Sequence, residues 1–199
     1  EMQEAAITRA NIVFFDHEHI LRAPNLPGVH NCINMEAAYR ACAPFGVSVP
    51  AAQEAVLSYV PHAHRLQPVT EKDGVLYVND SKATTVHALQ AALQSFERPI
   101  HLLAGGKYKG GDLQVLAGLV RQKVRSVTLF GESREIFSRA WGEIVPLDWR
   151  PTLKEAVAHA AGLACPGDVV LLSPATSSFD LFVNYVARGE AFVQAVNDL

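Results

Sequence analysis

From residue 75 onward the chain alternates in a way that few folds can absorb. Short apolar runs stand at residues 75–79, 100–104, 124–130, 144–147 and 169–172, with helical segments between them. Leu113, Leu116, Ala117 and Val120 share one helical face, and Leu153, Ala156, Val157, Ala160 and Ala161 share another, opened by Thr152 and Glu155 at capping-box spacing. The runs are apolar almost throughout, the pattern of strands covered on both faces. The expected architecture is an α/β fold, a mostly parallel sheet with helices on both faces. A last helix, with Phe192, Ala195, Val196 and Leu199 on one face, is expected to close it.

Parallel strands point their carboxyl ends to one edge, so the loops that follow them meet in space and form the natural ligand rim. The first such loop, residues 79–85, packs Asp80, Lys82 and the hydroxyls of Ser81, Thr84 and Thr85 before a helix whose face is Val86, Leu89 and Leu93. The free N–H groups of that helix start suit an anion. A second, GGKYKGGD at 105–112, exposes backbone N–H groups through its glycines and adds Lys107 and Lys109, with Asp112 placed to cap the next helix. The third, SPATSSF at 173–179, offers four hydroxyls. The absence of G-x-S-x-G makes them neutral donors for a carboxylate rather than nucleophiles.

Each residue has a plainer role. One hydroxyl caps the helix, and Asp80 with Lys82 forms a solvated ion pair worth under ~1 kcal/mol. The cluster at the strand ends is what points to a site, and Lys82, Lys107, Lys109, Thr84, Ser177 and Ser178 together match a small, multiply anionic ligand.

The first sixty residues read differently. NIVFFDHEHILRA at 11–23 predicts a hairpin with a polar turn at 16–18, where His17 and His19 share a strand face without a third metal ligand. Helices are expected at 31–42 and 50–60, with Gly46 ending the first and Pro50 in the first turn of the second. His30, Asn31 and Asn34 crowd the start of the first. One amide serves as a cap, and two amides one turn apart also suit a flat heterocycle. A hairpin and two helices bury only a marginal core, so this stretch is expected to be the tail of a larger domain that begins before Glu1. PHAHRLQP at 61–68, with His62 and His64, reads as the linker, placing the guanidinium of Arg65 at the mouth of any cleft, where it suits phosphate.

With 199 residues, 49% of them hydrophobic, and a net charge of −3, the chain has no basic footprint for nucleic acid. No apolar run approaches the ~18 residues that cross a bilayer. Cys32, Cys42 and Cys165 are odd in number and far apart, and the start lacks a signal-peptide pattern, which fits a reducing cytoplasm. Neither G-x-G-x-x-G nor the Walker pattern G-x-x-x-x-G-K-[ST] occurs, so a triphosphate cradle would lie outside these residues.

Taken together, LPGVHNCIN at 26–34, His64-Arg65, NDSKAT at 79–84, the glycine loop ending at Lys109, and LLSPATSSFDLF at 171–182 followed by Arg188-Gly189 resemble the Mur ligase family over nearly the whole chain. NDSKAT and SPA-x-x-S-x-D-x-F are specific to its D-glutamate-adding branch. The resemblance implies that residues 1–60 are the end of a central α/β ATPase domain, 61–67 a linker, and 68–199 the Rossmann-like C-terminal domain that brings in the amino acid. It implies an ATP-dependent ligase of cytoplasmic peptidoglycan precursor synthesis, in which ATP phosphorylates the carboxylate of UDP-N-acetylmuramoyl-L-alanine and the D-glutamate amine attacks the acyl phosphate. ATP and Mg2+ would be the cofactors, both needing segments outside this chain, and the protein would be a monomer without nucleic-acid or membrane partners.

Carried over by motif, Asn31 and Asn34 would contact adenine with His64 nearby, and Arg65 and Asp80 would serve phosphate and ribose. Lys82, Thr84, Lys109, Ser178 and Tyr185 would surround D-glutamate. Lys82 and Arg65 are the catalytic candidates, and no metal ligand is expected within these residues. Thr85, Thr176 and Tyr185 stand where the family usually has Asn, Cys and Phe. By itself the chain is expected to be inactive. The competing reading is a free-standing module that binds a small acidic metabolite.

Overall fold

The computed structural model describes residues 12–15, 20–24, 26 and 28–199. The chain divides into two compact units, Glu1–Val60 and Pro61–Leu199.

The first unit contains α1 (Val29–Cys42) and α2 (Val49–Ser58). Gly28 takes the N-cap position of α1 at φ 100 with no side-chain cap. Asn31 and Asn34 therefore lie inside the helix, and the expectation that one of them caps it is corrected. A 3-10 turn, Ala43–Phe45, ends at Gly46, whose φ of 88 is the left-handed conformation glycine tolerates. Ser48 caps α2 by accepting from Ala51 N, and the helix stops at Ser58, short of the expected residue 60. Leu21, Met35 and Ala52 are buried together. The turn of the expected hairpin, with His17 and His19, lies outside the described residues. Its described flanks, residues 12–15 and 20–23, form no strand.

The second unit is a six-stranded sheet of β1 (Gln67–Lys72), β2 (Val75–Asn79), β3 (Ile100–Gly105), β4 (Val124–Phe130), β5 (Leu147–Trp149) and β6 (Val169–Leu172). The strand order is β1-β2-β6-β3-β4-β5. All neighbours are parallel except β1 and β2. Helices cover both faces. Leu89 and Leu93 of α3 (Val86–Gln94), Val120 of α4 (Ala117–Lys123) and Phe137 and Trp141 of α5 (Arg134–Trp141) pack with Leu102, Val127 and Leu171 on one side. Val157 of α6 (Leu153–Leu163) and Phe192 of α7 (Tyr185–Asn197) pack with Tyr77, Leu103 and Leu172 on the other. Each such fully buried side chain contributes ~1.5–3 kcal/mol of transfer free energy.

The expected strand at 144–147 is corrected to Leu147–Trp149, because the N–H groups of Ile144 and Val145 both bond to Trp141 O and finish the turn after α5. The expected helix through Leu113 and Val120 splits into a 3-10 turn, Leu113–Leu116, capped by Asp112, and then α4; its inward face is kept. Thr152 and Glu155 form the anticipated capping box, Thr152 Oγ1 accepting from Glu155 N at 3.2 Å. Leu199 falls beyond the end of α7 and is 40% exposed, so it leaves the inward face.

Strand β1 is not among the expected strands: Pro68 closes the segment read as linker, and the residues after it carry no continuous apolar run. On an edge strand a proline needs no ladder N–H. The available signal was Asp73-Gly74, whose φ values of 51 and 75 mark a two-residue hairpin turn with both centres left-handed.

Candidate functional site

The sheet order sets the site. Because β6 lies between β2 and β3, the loop after β6 is flanked by the loops after the other two. Hydrogen bonds stitch them together. Asp80 N donates to Leu172 O at 2.8 Å, Gly105 N to Pro174 O at 3.2 Å, and Lys107 and Ser177 exchange backbone bonds at 2.9 and 3.0 Å. Thr176 Oγ1 donates to Gly105 O at 2.7 Å and Ser177 Oγ to Lys107 O at 2.8 Å. The loop after β4 joins through the Ser133 hydroxyl, which donates to Gly106 O, and through Asp180, which accepts Glu132 N at 3.1 Å.

The first loop is held by its own side chains. Asn79 Oδ1 accepts Ser81 N at 3.1 Å, which settles the orientation of its amide. Asn79 Nδ2 then donates to Gly189 O at 3.1 Å and reaches His64 Nδ1 at 3.0 Å. An amide nitrogen only donates, so His64 Nδ1 accepts and the ring proton sits on Nε2. His64 and Leu66 hold left-handed φ values of 65 and 42, a strain that persists only where surrounding bonds enforce it. Here Lys82 N donates to His64 O at 3.0 Å and Leu66 N to Asp80 Oδ1 at 3.2 Å.

Asp80 takes its second hydrogen bond from Ser173 Oγ at 2.9 Å. Burial pushes its carboxyl up to about 7, against the lowering effect of these bonds and of the Arg65 charge. The expected Asp80–Lys82 ion pair is not formed: Asp80 is buried against Leu66 N and Ser173 Oγ, while Lys82 turns its ammonium to the Tyr185 ring. The capping reading holds for Thr85, which accepts Ala88 N at 3.2 Å. Ser81 instead donates to Tyr185 O at 2.8 Å.

Lys82 places Nζ 3.8 Å from the centre of the Tyr185 ring, and Lys109 places Nζ 5.9 Å from that of Phe179, the neighbour of Ser178. The structure thus brings Lys82, Lys109, Ser178 and Tyr185 to one rim, with Thr84 in the first loop. Among the described residues, Lys82, Lys107 and Lys109 form no ion pair. Three unneutralised ammoniums on a chain of net charge −3 make a local field that draws anions. Arg65 is exposed beside this rim. Asn31, half-buried, and Asn34, exposed, lie on α1 of the first unit. Among the described residues no three His, Cys, Asp or Glu side chains converge as a metal-binding group.

Sequence reasoning gave Arg188 no role. Its guanidinium is 0% exposed. Nε donates to Ser81 Oγ at 3.0 Å, and Nη2 donates to Ser81 O at 2.8 Å and Thr176 O at 3.1 Å. The available signal was its place four residues before Phe192, a charged residue on the inward face of an amphipathic helix.

The profile of the Mur ligase glutamate ligase domain matches residues 64–176, more than half of the 199. The chain belongs to the Mur ligase family. This Mur ligase chain is 56% identical over 172 residues to a UDP-N-acetylmuramoylalanine--D-glutamate ligase of Nitratidesulfovibrio vulgaris, covering 86% of this chain and 40% of that protein. It is 49% identical over 191 residues to the ligase of the same name from Lawsonia intracellularis, covering 96% and 43%. The chain thus spans about 40% of the length of these curated relatives. Among solved structures, UDP-N-acetylmuramate-alanine ligase of Thermotoga maritima superposes with a TM-score of 0.64 at 16% identity, covering 87% of this chain and 39% of that one. A folylpolyglutamate synthase of Mycobacterium tuberculosis, complexed with ADP and AMPPCP, gives 0.63 at 17% identity, covering 84% and 41%. At such identities the Mur ligase chain shares their fold.

Proposed function

We propose that this chain carries the amino-acid site of an ATP-dependent ligase that joins D-glutamate to UDP-N-acetylmuramoyl-L-alanine in cytoplasmic peptidoglycan precursor synthesis. The observation that carries the proposal is the rim itself, on which three ammoniums without acid partners stand among hydroxyls at the carboxyl edge of the sheet. D-Glutamate brings two carboxylates to it. Lys82, Lys109, Thr84 and Ser178 supply charged and neutral donors, each charge-assisted bond contributing ~1.5–3 kcal/mol, and Tyr185 walls the pocket. The names of the curated relatives support this choice of amino acid.

The reaction needs a neutral amine aimed at an acyl phosphate. Gripping both carboxylates fixes the direction of the amine, and neighbouring ammoniums disfavour its protonated form. The charges of Lys82 and Arg65 suit the oxyanion of the tetrahedral intermediate and the departing phosphate. ATP supplies the phosphoryl group when bound. Asn31 and Asn34, one turn apart on α1, have the paired donors and acceptors an adenine requires. We place Arg65 on phosphate, with His64 and Asp80 holding the turn that carries it. We place Mg2+ with the ATP, on segments outside these 199 residues. The chain spans about 40% of the length of its curated relatives, which supports the reading of the first unit as the end of a larger ATPase domain. With no Walker pattern in these 199 residues, the chain alone binds D-glutamate and does not hydrolyse ATP.

An NMR titration of this chain with millimolar D-glutamate, with L-glutamate and Lys109→Ala as controls, tests the reading. Saturable shifts with the D isomer, lost in the variant, are expected. Equal shifts with both isomers would favour a generic module for acidic metabolites, and no shifts would remove the amino-acid site from these loops.

A further inference from the structure

The interior of the rim holds a cation that the proposed chemistry has not used. Arg188 reaches the rim from the first turns of α7, and its guanidinium lies where the three loops meet. Nε and Nη2 bind Ser81 of the first loop and Thr176 of the third. Nη1 faces the second, 3.2 Å from where a Cβ on Gly106 would stand, and has no hydrogen-bond partner. Ser81 precedes Lys82, and Thr176 lies two residues before Ser178. The Ser81 hydroxyl also carries the network on to Tyr185 O.

We infer that Arg188 is a positioning residue for the amino-acid site, holding Lys82 and Ser178 in register and adding an unpaired buried charge that favours a dicarboxylate over its half-amide. The inference rests on the D-glutamate reading above and extends it to specificity.

Burying a guanidinium without a carboxylate is costly, and a loop brace alone does not need the charge. Arg188 forms no ion pair among the described residues. The acidic group that acts on it is Asp180, which is engaged with Glu132 N. Burial lowers the guanidinium to about 10, so it remains charged at neutral pH. In so dry a place its field reaches a bound anion with little screening by salt.

The test compares D-glutamate with D-glutamine, which keeps the shape and loses the side-chain carboxylate. Affinities of the 199-residue chain are measured by NMR titration for wild type, Arg188→Gln, Arg188→Lys and Ser81→Ala, with thermal melts alongside. In Arg188→Gln the preference for D-glutamate over D-glutamine falls by roughly fivefold or more. Arg188→Lys keeps most of the preference while binding both ligands more weakly. Ser81→Ala, which removes a bond and keeps the charge, weakens both ligands alike.

If Arg188→Gln binds both ligands with the wild-type ratio, Arg188 is a brace and the inference is overturned. Should Arg188→Gln not fold, Arg188→Lys decides: unchanged affinity for both ligands overturns the positioning role, and a lost preference overturns the role of charge. A wild-type chain that binds neither ligand overturns the amino-acid reading and this inference with it.

Discussion

Lys82 holds its ammonium 3.8 Å from the centre of the Tyr185 ring, so a cation of the first loop and the first residue of α7 behave as one unit. The same ring meets His64 edge-on, with centroids 6.1 Å apart. A cation–π contact of this kind contributes about 0.5–2 kcal/mol and needs only the ring face. Tyr185→Phe is therefore expected to keep the D-glutamate affinity within about twofold, and Tyr185→Ala to reduce it by roughly three- to tenfold. Titration calorimetry reads both. An equal loss in the Phe variant would assign the effect to the hydroxyl.

Asp80 sets a pH dependence of stability. Its folded value, about 7, lies above the ~3.9 of a free carboxyl. Between those values the native state binds more protons than the unfolded chain, so stability falls as pH rises. The contribution is full below about 4 and is lost by about 7, with a slope on the order of 1.4 kcal/mol per pH unit at most. Asp80→Asn flattens the curve in this window and exceeds the wild type in stability at pH 8. Urea melts from pH 4 to 8 check this, and parallel curves would mean that Asp80 ionises normally.

Two glycines in helices respond oppositely to alanine. At Gly189, in α7, a Cβ would overlap the His64 ring, whereas at Gly162, in α6, nothing lies within 4 Å. Gly162→Ala is expected to stabilise by about 0.5–1 kcal/mol through helix propensity. Gly189→Ala is expected to destabilise by roughly 1–3 kcal/mol by displacing His64, and to shift the His64 ring resonances. Urea midpoints measure both, and equal shifts in the two variants would contradict the packing described around His64.

Local patterning carried far in this chain where its cause was local. The apolar runs at 75–79, 124–130 and 169–172 coincide with β2, β4 and β6, because a strand buried on both faces must be apolar throughout. The capping box of α6 and the cap at Thr85 were legible for the same reason, each closing within three residues. The cluster of Lys82, Thr84, Lys109 and Ser178 was readable as a rim because parallel strands align their carboxyl ends. β1 escaped because edge pairing tolerates a proline and leaves a weaker apolar signature.

The amino-acid sequence by itself determined the alternation of strands and helices, the residue types of the rim and the motifs that mark the family. Only the tertiary structure decided that β6 lies between β2 and β3, and hence which loops touch. It also decided that Asp80 turns inward to Ser173, 93 residues away, rather than to Lys82, and that Arg188 closes the rim on Ser81 across 107 residues. Hydrophobic periodicity is a property of neighbouring residues and survives in a linear reading. A buried polar group instead finds its partners wherever packing brings them, and that depends on every strand and helix at once.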